Sequence, residues 1–180
     1  MTIRPILRAG AAILSEVARP LAAADMPSLP QLVADMRASM AAAGGTGLAA
    51  PQIGESVRLV IFEVSAARTT AQPDDDPIGM TVLVNPSWQV LDATEDLGWE
   101  GCLSLPGLRG EVPRYRRIRY RGHDLNGTLI ERTAAGFHAR VFQHEVDHLD
   151  GILYPQRMRD MRRFGFTEEI LATAATIGDR

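Results

Sequence analysis

Residues 143–148 read QHEVDH. On a helix, His144 and His148 lie four apart and project from one face, where two neutral imidazoles can bind a single metal ion. Glu145 falls on the adjoining flank, beside any water on that ion, where a carboxylate serves as general base. Two histidines packed in a core with hydrogen bonds would look similar. Here, though, two histidines, a glutamate and an aspartate share one otherwise apolar helix, and burying them without a common purpose is costly. His123 and His138 lack the spacing. His138 lies six residues before His144, on a different face, and reads as core filler or surface.

A hydrolytic metal of this type takes three protein ligands and leaves one position for water. One extended pattern puts a third histidine further along, but HEVDHLDGILY has Tyr154 in that place. A second pattern uses a downstream glutamate. Glu168, twenty residues past His148, fits it and would make the chain a metallopeptidase. The third candidate is Cys102, the single cysteine, within EGCLSLPG at 100–107. It has no partner for an internal disulfide, and buried filler is the common fate of a free cysteine. Gly101 lets backbone approach closely, however, and Pro106-Gly107 ends the strand. A thiolate with two imidazoles is a ligand set of catalytic metals. A Cys102 nucleophile with His144 as base is the rival chemistry, and it leaves the HExxH spacing without a use.

These groups must be held by surrounding elements. SLPQLVADMRASMAAA, 28–43, predicts a helix capped by Ser28, with Pro30 in its first turn and an apolar stripe of Leu29, Leu32, Val33, Met36 and Met40. Residues 57–64 form a β-branched run and predict a strand, and 81–91 predict one or two strands around a turn at Asn85-Pro86. Between them, TTAQPDDDPIGM is a polar loop. In 114–121, Tyr115, Arg117, Arg119 and Arg121 share one face of a strand, with Arg116, Ile118 and Tyr120 on the other. Asn126-Gly127 signals a hairpin. A helix is expected from about Thr133 to Asp150, closed by Gly151. Val141, Phe142, Val146 and Leu149 spread apolar character round it, so it is buried. A last helix is expected at 167–177, with Thr167 as cap and Glu168 and Glu169 in its first turn. Asp147, buried on the central helix, needs a cation, and Arg114 in VPRY is the expected partner. The dense run RMRDMRR, 157–163, reads as a solvated helix face, with contact to ribosomal RNA as the lesser reading.

The totals exclude several classes. The chain has 180 residues and a net charge of −3, which supplies no global attraction to nucleic acid or an anionic membrane. All 19 basic residues are arginine. That removes Schiff-base lysines, pyridoxal phosphate attachment and the P-loop lysine. No apolar run approaches a membrane span. The first 21 residues lack a secretory cleavage pattern, so a mature protein of the reducing cytosol is expected, with a transit peptide as the alternative.

Three segments in order, GGTGLAAPQIG (44–54), EGCLSLPG (100–107) and QHEVDHLDG (143–151), resemble the three signature motifs of the peptide deformylase family. PGLRGEVPRY and GILYPQRM extend the resemblance along nearly the whole chain. Thr46 departs from it, standing where many members carry an aliphatic residue. The resemblance implies a cytoplasmic metallohydrolase that removes the formyl group from the N-terminal formylmethionine of new polypeptides. Cys102, His144 and His148 would ligate one divalent ion, most fittingly Fe²⁺, with Zn²⁺, Ni²⁺ or Co²⁺ as substitutes. Hydroxide on that ion would attack the formyl carbon, with Glu145 as general acid/base. Gln52, otherwise an ordinary turn residue after Pro51, and the Leu103 N–H would meet the developing oxyanion. Backbone at Thr46, Gly47 and Gly101 would hold the peptide as an added strand, with Arg109 alongside. Phe137 and Val141 would line the methionine pocket. The partners would be N-formylmethionyl peptides, supplied near the ribosomal exit, with no membrane and no direct nucleic-acid readout. A deformylase-like binder without catalysis is the alternative from another class. The expected fold is α+β: mostly antiparallel sheets around a buried central helix carrying HExxH, with N- and C-terminal flanking helices, in a single domain over 1–180.

Overall fold

The structure, a computed structural model, describes residues 1–70 and 72–178. Ala71, in the polar loop, and the last two residues of the expected domain lie outside the described residues. The fold is α+β. Helix α1 is Leu29–Ala42. All five residues of its expected stripe are buried, against a layer that includes Leu48, Leu59 and Ile61. Ser28 does not cap it. A 3₁₀ turn, Ala23–Ser28, runs straight into the helix, and the Ser28 hydroxyl donates to the Asp25 carbonyl at 2.8 Å instead. Gly44, at φ +64°, ends the helical path, a conformation glycine adopts without strain.

The strands are β1 (Gly47–Ala49), β2 (Leu59–Val64), β3 (Ile78–Cys102), β4 (Leu105–His123), β5 (Leu129–Ala135) and β6 (Phe164–Phe166). They form one six-stranded sheet in the order β1-β2-β3-β4-β5, with β6 also on β4, and every pairing is antiparallel. The turn expected at Asn85-Pro86 is instead a bulge within β3, where the register with β4 shifts between Val84 and Ser87. Asn85 sits at φ +50°, a region asparagine tolerates, and its amide exchanges two hydrogen bonds with the Leu21 backbone, at 2.8 and 2.9 Å. Two further bulges, at Val90/Asp92 and Asp92/Glu95, break the alternation opposite 115–117. Arg116 therefore leaves the buried face of Ile118 and Tyr120 and pairs at the rim with Asp96, 2.8 Å away.

Asn126-Gly127 turns β4 into β5, with Gly127 at φ +77°. Helix α2 is Gly136–Leu149, shorter at its start than expected. Thr133–Ala135 stay in β5, because their ladder to Arg117–Arg119 of β4 satisfies their backbone. Gly136, at φ +53°, makes the corner. Val141, Phe142, Val146 and Leu149 pack with Val60, Phe62, Leu83, Ile118 and Tyr120 of the sheet. Phe142 stacks on Tyr120 at 4.3 Å between ring centroids.

Helix α3 is Thr167–Gly178, and the Thr167 hydroxyl donates to the Gly107 carbonyl at 3.1 Å. The run 157–163 is not a helix face. It lies across two 3₁₀ turns, Tyr154–Arg157 and Met161–Arg163. Its four arginines pair in turn with Asp147, Glu95, Asp160 and Glu111. Among the described residues, no helix is long and apolar enough to cross a membrane.

Candidate active site

Three elements converge. The regular turn of α2 puts His144 and His148 on one side, with ring centroids 5.1 Å apart. The end of β3 delivers Cys102. A 3₁₀ turn at Ala50–Ile53 delivers Gln52. One ligand atom from each of Cys102, His144 and His148 lies within 4.8 Å of the others, and Cys102 Sγ is 3.3 Å from His148 Nε2. Glu168, at the start of α3, is not in that group. Tyr154 does not reach toward the histidines as a ligand. Its ring stacks near-parallel to His144 at 6.1 Å.

The surrounding bonds orient these groups. The Ser104 N–H and Gln52 Nε2 approach Cys102 Sγ at 3.4 and 3.5 Å. Gln52 is itself fixed: Oε1 accepts from the Ala49 N–H at 2.8 Å, and Nε2 donates to Ser104 Oγ at 3.1 Å. Glu100 Oε2 lies 2.8 Å from His144 Nδ1, leaving Nε2 of that ring for the cluster. The same carboxylate receives two bonds from Arg114, at 2.8 and 2.9 Å, and one from Arg140 at 2.9 Å. Burial opposes charge on Glu100, but Arg114 and His144 outweigh it and hold the carboxyl well below its usual range. Arg114 also reaches Asp147 at 2.5 Å, the expected pair, and Arg157 closes the network on Asp147 at 2.7 Å.

Glu100, Ser104 and Arg140 escaped the sequence reading. A signal existed for the first: Glu100 and Cys102 are two apart on a strand and so share a face. Arg140 carried no such signal, since its partners are four residues of β3 and β4: the carbonyls of Asp96, Gly98 and Val112 and the carboxylate of Glu100.

The electrostatics fit a cation. Burial works against charge on His144, yet Cys102 and Glu100 favour it and raise its pKa well above the ordinary imidazole value. Burial, joined by that neighbouring charge, drives His148 well below it. One thiol and two imidazoles grouped in this way are a donor set that suits a divalent cation. Burial, aided by the charge of Glu100 and opposed by His144 and Arg114, pushes Glu145 up to about 7, and its Oε2 has no hydrogen-bond partner among the described residues. Gly47 is required beside it, since a Cβ there would stand 2.2 Å from Glu145 Oε1.

A cavity of about 540 Å³ opens over these groups. Thr46, Gly47, Gln52, Gly101, Cys102, Leu103, Arg109, Phe137, Val141, His144 and Glu145 all line it. Of the positions expected from sequence only His148 does not, being buried with 1% exposure. His138 is far from this chemistry in role: it is buried core, 2.9 Å from the Tyr120 hydroxyl.

Comparison with known proteins decides the family. Residues 3–164 match the model for polypeptide deformylase. The chain is 56% identical to peptide deformylase 2 of Ralstonia nicotianae over 167 residues, 92% of this chain and 93% of that one. The chain belongs to the peptide deformylase family. Peptide deformylase 1 of Nitrosomonas europaea is 49% identical and aligned over 98% of this chain and 99% of its own. Among solved structures, the Met-Ala-Ser-bound class I type b peptide deformylase of Acinetobacter baumannii superposes with a TM-score of 0.77 at 38% identity, covering 87% of this chain and all of that one. The peptide deformylase of Ehrlichia chaffeensis gives 0.80 at 27% identity, over 99% of this chain and 98% of that one. In the present deformylase, β1 pairs with β2 on one side and, among the described residues, with no strand on the other. Gly47, the first residue of β1, and Thr46 before it both line the cleft.

Proposed function

We propose that this deformylase removes the formyl group from the N-terminal formylmethionine of newly made polypeptides, using a divalent ion held by Cys102, His144 and His148. The observation that carries this reading is the convergence of one thiol and two imidazoles within 4.8 Å, under one cavity and beside a buried carboxyl whose Oε2 has no partner among the described residues. When bound, the ion supplies Lewis acidity toward the formyl oxygen and acidifies water.

The chain's own residues do the rest. Glu145, with its pKa near 7, accepts a proton from the attacking water and returns it to the departing amine nitrogen. Gln52 Nε2 gives one N–H to Ser104 and aims the other toward Cys102 Sγ at a long 3.5 Å, a contact it exchanges for the oxygen on which charge develops, with the Leu103 N–H as second donor. Both donors are neutral and do not repel the ion. Glu100 holds the His144 ring. Backbone at Thr46, Gly47 and Gly101 extends the sheet with the substrate chain, Arg109 lies beside it, and Phe137 and Val141 wall the methionine pocket. Val141 also belongs to the core, so that wall is stiff.

Fe²⁺ is the proposed native ion, with Zn²⁺, Ni²⁺ and Co²⁺ as substitutes. The proposal includes a cytoplasmic location, substrate supplied near the ribosomal exit, and a single domain over 1–180 in which the flanking helices brace the helix carrying HExxH. Anaerobic, Fe²⁺-loaded protein is expected to release formate from formyl-Met-Ala. Glu145→Gln should keep its metal and lose turnover by roughly 10²–10⁴-fold. Cleavage of an internal peptide bond in place of the formamide, or tight peptide binding without turnover by fully loaded protein, would overturn it.

A further inference from the structure

The loop between β2 and β3 does more than connect strands. Asp75 is 2% exposed, although it lies in a polar stretch. Its Oδ2 accepts from the Thr70 N–H and hydroxyl at 2.6 and 2.7 Å, folding the loop on itself. Its Oδ1 accepts from the His138 N–H at 3.1 Å, in the first turn of α2. Ala135, at the N-cap position, has no side chain that can do this, so a residue sixty positions earlier caps the helix. The Ala135 N–H also donates to the Asp74 carbonyl at 2.9 Å, and Arg117 Nε bonds Asp74 Oδ2 at 2.8 Å. Gly136 fits the junction tightly, since a Cβ there would meet Asp75 Oδ2 at 2.4 Å.

Arg68 belongs to the same loop, two residues before Thr70. Its guanidinium carbon lies 4.2 Å from the centroid of the Phe137 ring, over the cleft wall, and Arg68 itself lines the cavity. The other charges of the cavity are accounted for. Arg140 is bonded to Glu100 and three carbonyls, and Glu100 is saturated by Arg114, Arg140 and His144. Glu145 belongs to the chemistry. Arg68 and Arg109 are exposed, and no carboxylate pairs with either among the described residues. The mouth of the cleft therefore presents two uncompensated cations, one of them pre-positioned on an aromatic ring.

We propose that Arg68 is a specificity-determining residue that favours peptides carrying a carboxylate just beyond the first methionine. The proposal rests on the deformylase reading. The carboxylate can be the side chain of the second residue or, in a very short peptide, the chain terminus, and amidation separates the two.

The test compares kcat/KM for formyl-Met-Glu-Ser-amide, formyl-Met-Gln-Ser-amide and formyl-Met-Lys-Ser-amide, with formyl-Met-Ala-Ser as amide and as free acid. At low salt the Glu peptide should exceed its Gln isostere about three- to fivefold, the range of a solvent-accessible ion pair, mainly through KM. The ratio should fall toward one at high salt, beyond the screening limit. Arg68→Gln should abolish it, and Arg68→Glu should make the Lys peptide the better substrate. A free-acid advantage for formyl-Met-Ala-Ser that Arg68→Gln also removes would place the terminal carboxylate at the same cation. Equal rates for Glu and Gln peptides in the unaltered enzyme, or a preference that survives Arg68→Gln, would overturn the proposal. Absence of turnover on every peptide would instead count against the deformylase reading.

Discussion

Arg114 bridges Glu100 and Asp147, and removing it should cost more than removing either neighbour. The guanidinium is 5% exposed, with carboxylates at 4% and 8% on either side. Arg114→Ala leaves both carboxylates buried with weakened compensation, and breaking a buried pair in this way costs about 3–5 kcal/mol. The low end is expected here. Glu100 keeps Arg140 and His144, and Asp147 keeps Arg157, which is 44% exposed and free to adjust. Asp147→Ala should cost less, about 1.5–3 kcal/mol, because Arg114 retains its two bonds to Glu100. In the double variant no Asp147 carboxylate remains to be stranded by the loss of Arg114, so the combined loss should fall short of the sum of the two single losses by about 1–3 kcal/mol. Urea unfolding of the metal-loaded protein and its three variants, with the slope checked for constancy, measures this. Additivity within about 0.5 kcal/mol would refute the reasoning, since it would mean that the two groups do not share one network.

Three further outcomes are expected. Gly47→Ala places a methyl 2.2 Å from Glu145 Oε1 and should lower kcat about 10²-fold while metal content holds, and unchanged kcat would show that Glu145 needs no such clearance. Glu100→Gln weakens the grip on His144 Nδ1 and should reduce metal affinity about 10–100-fold in a chelator competition, and an unchanged affinity would deny Glu100 that role. His138 gives a pH signature: burial, then the charge of Arg132, pushes its pKa down to about 4. The unfolded imidazole titrates near 6.5, so this contribution is complete above about pH 6.5 and is lost as pH falls through about 4, to a total on the order of 3 kcal/mol. His138→Gln should remove that part of the acid slope in urea unfolding, and identical slopes would contradict it.

What the sequence made legible follows from periodicity. His144 and His148 could be placed together because four residues make about one helical turn, and the stripe of α1 could be read for the same reason. Cys102 was visible because a lone cysteine between Gly101 and Pro106-Gly107 invites a question. Other features depend on long-range geometry and leave little local trace. The length of β3 was hidden by its bulges, since Asn85-Pro86 signals a turn in isolation and only the bonds to Leu21 convert it to a kink. The start of α2 was misplaced because Thr133–Ala135 have a helix-compatible pattern, while their partners lie in β4. Arg140 and Asp75 carry no local signal of their roles. Each finds its bonds on elements about 30 to 60 residues away.

X-ray absorption at the metal edge of anaerobically prepared protein probes the central claim most directly. One sulfur at about 2.3 Å and two imidazole nitrogens at about 2.0–2.1 Å are expected for zinc-loaded protein, with the sulfur scatterer lost in Cys102→Ser. A loaded site with no sulfur in its coordination sphere, or a spectrum unchanged by Cys102→Ser, would contradict the account.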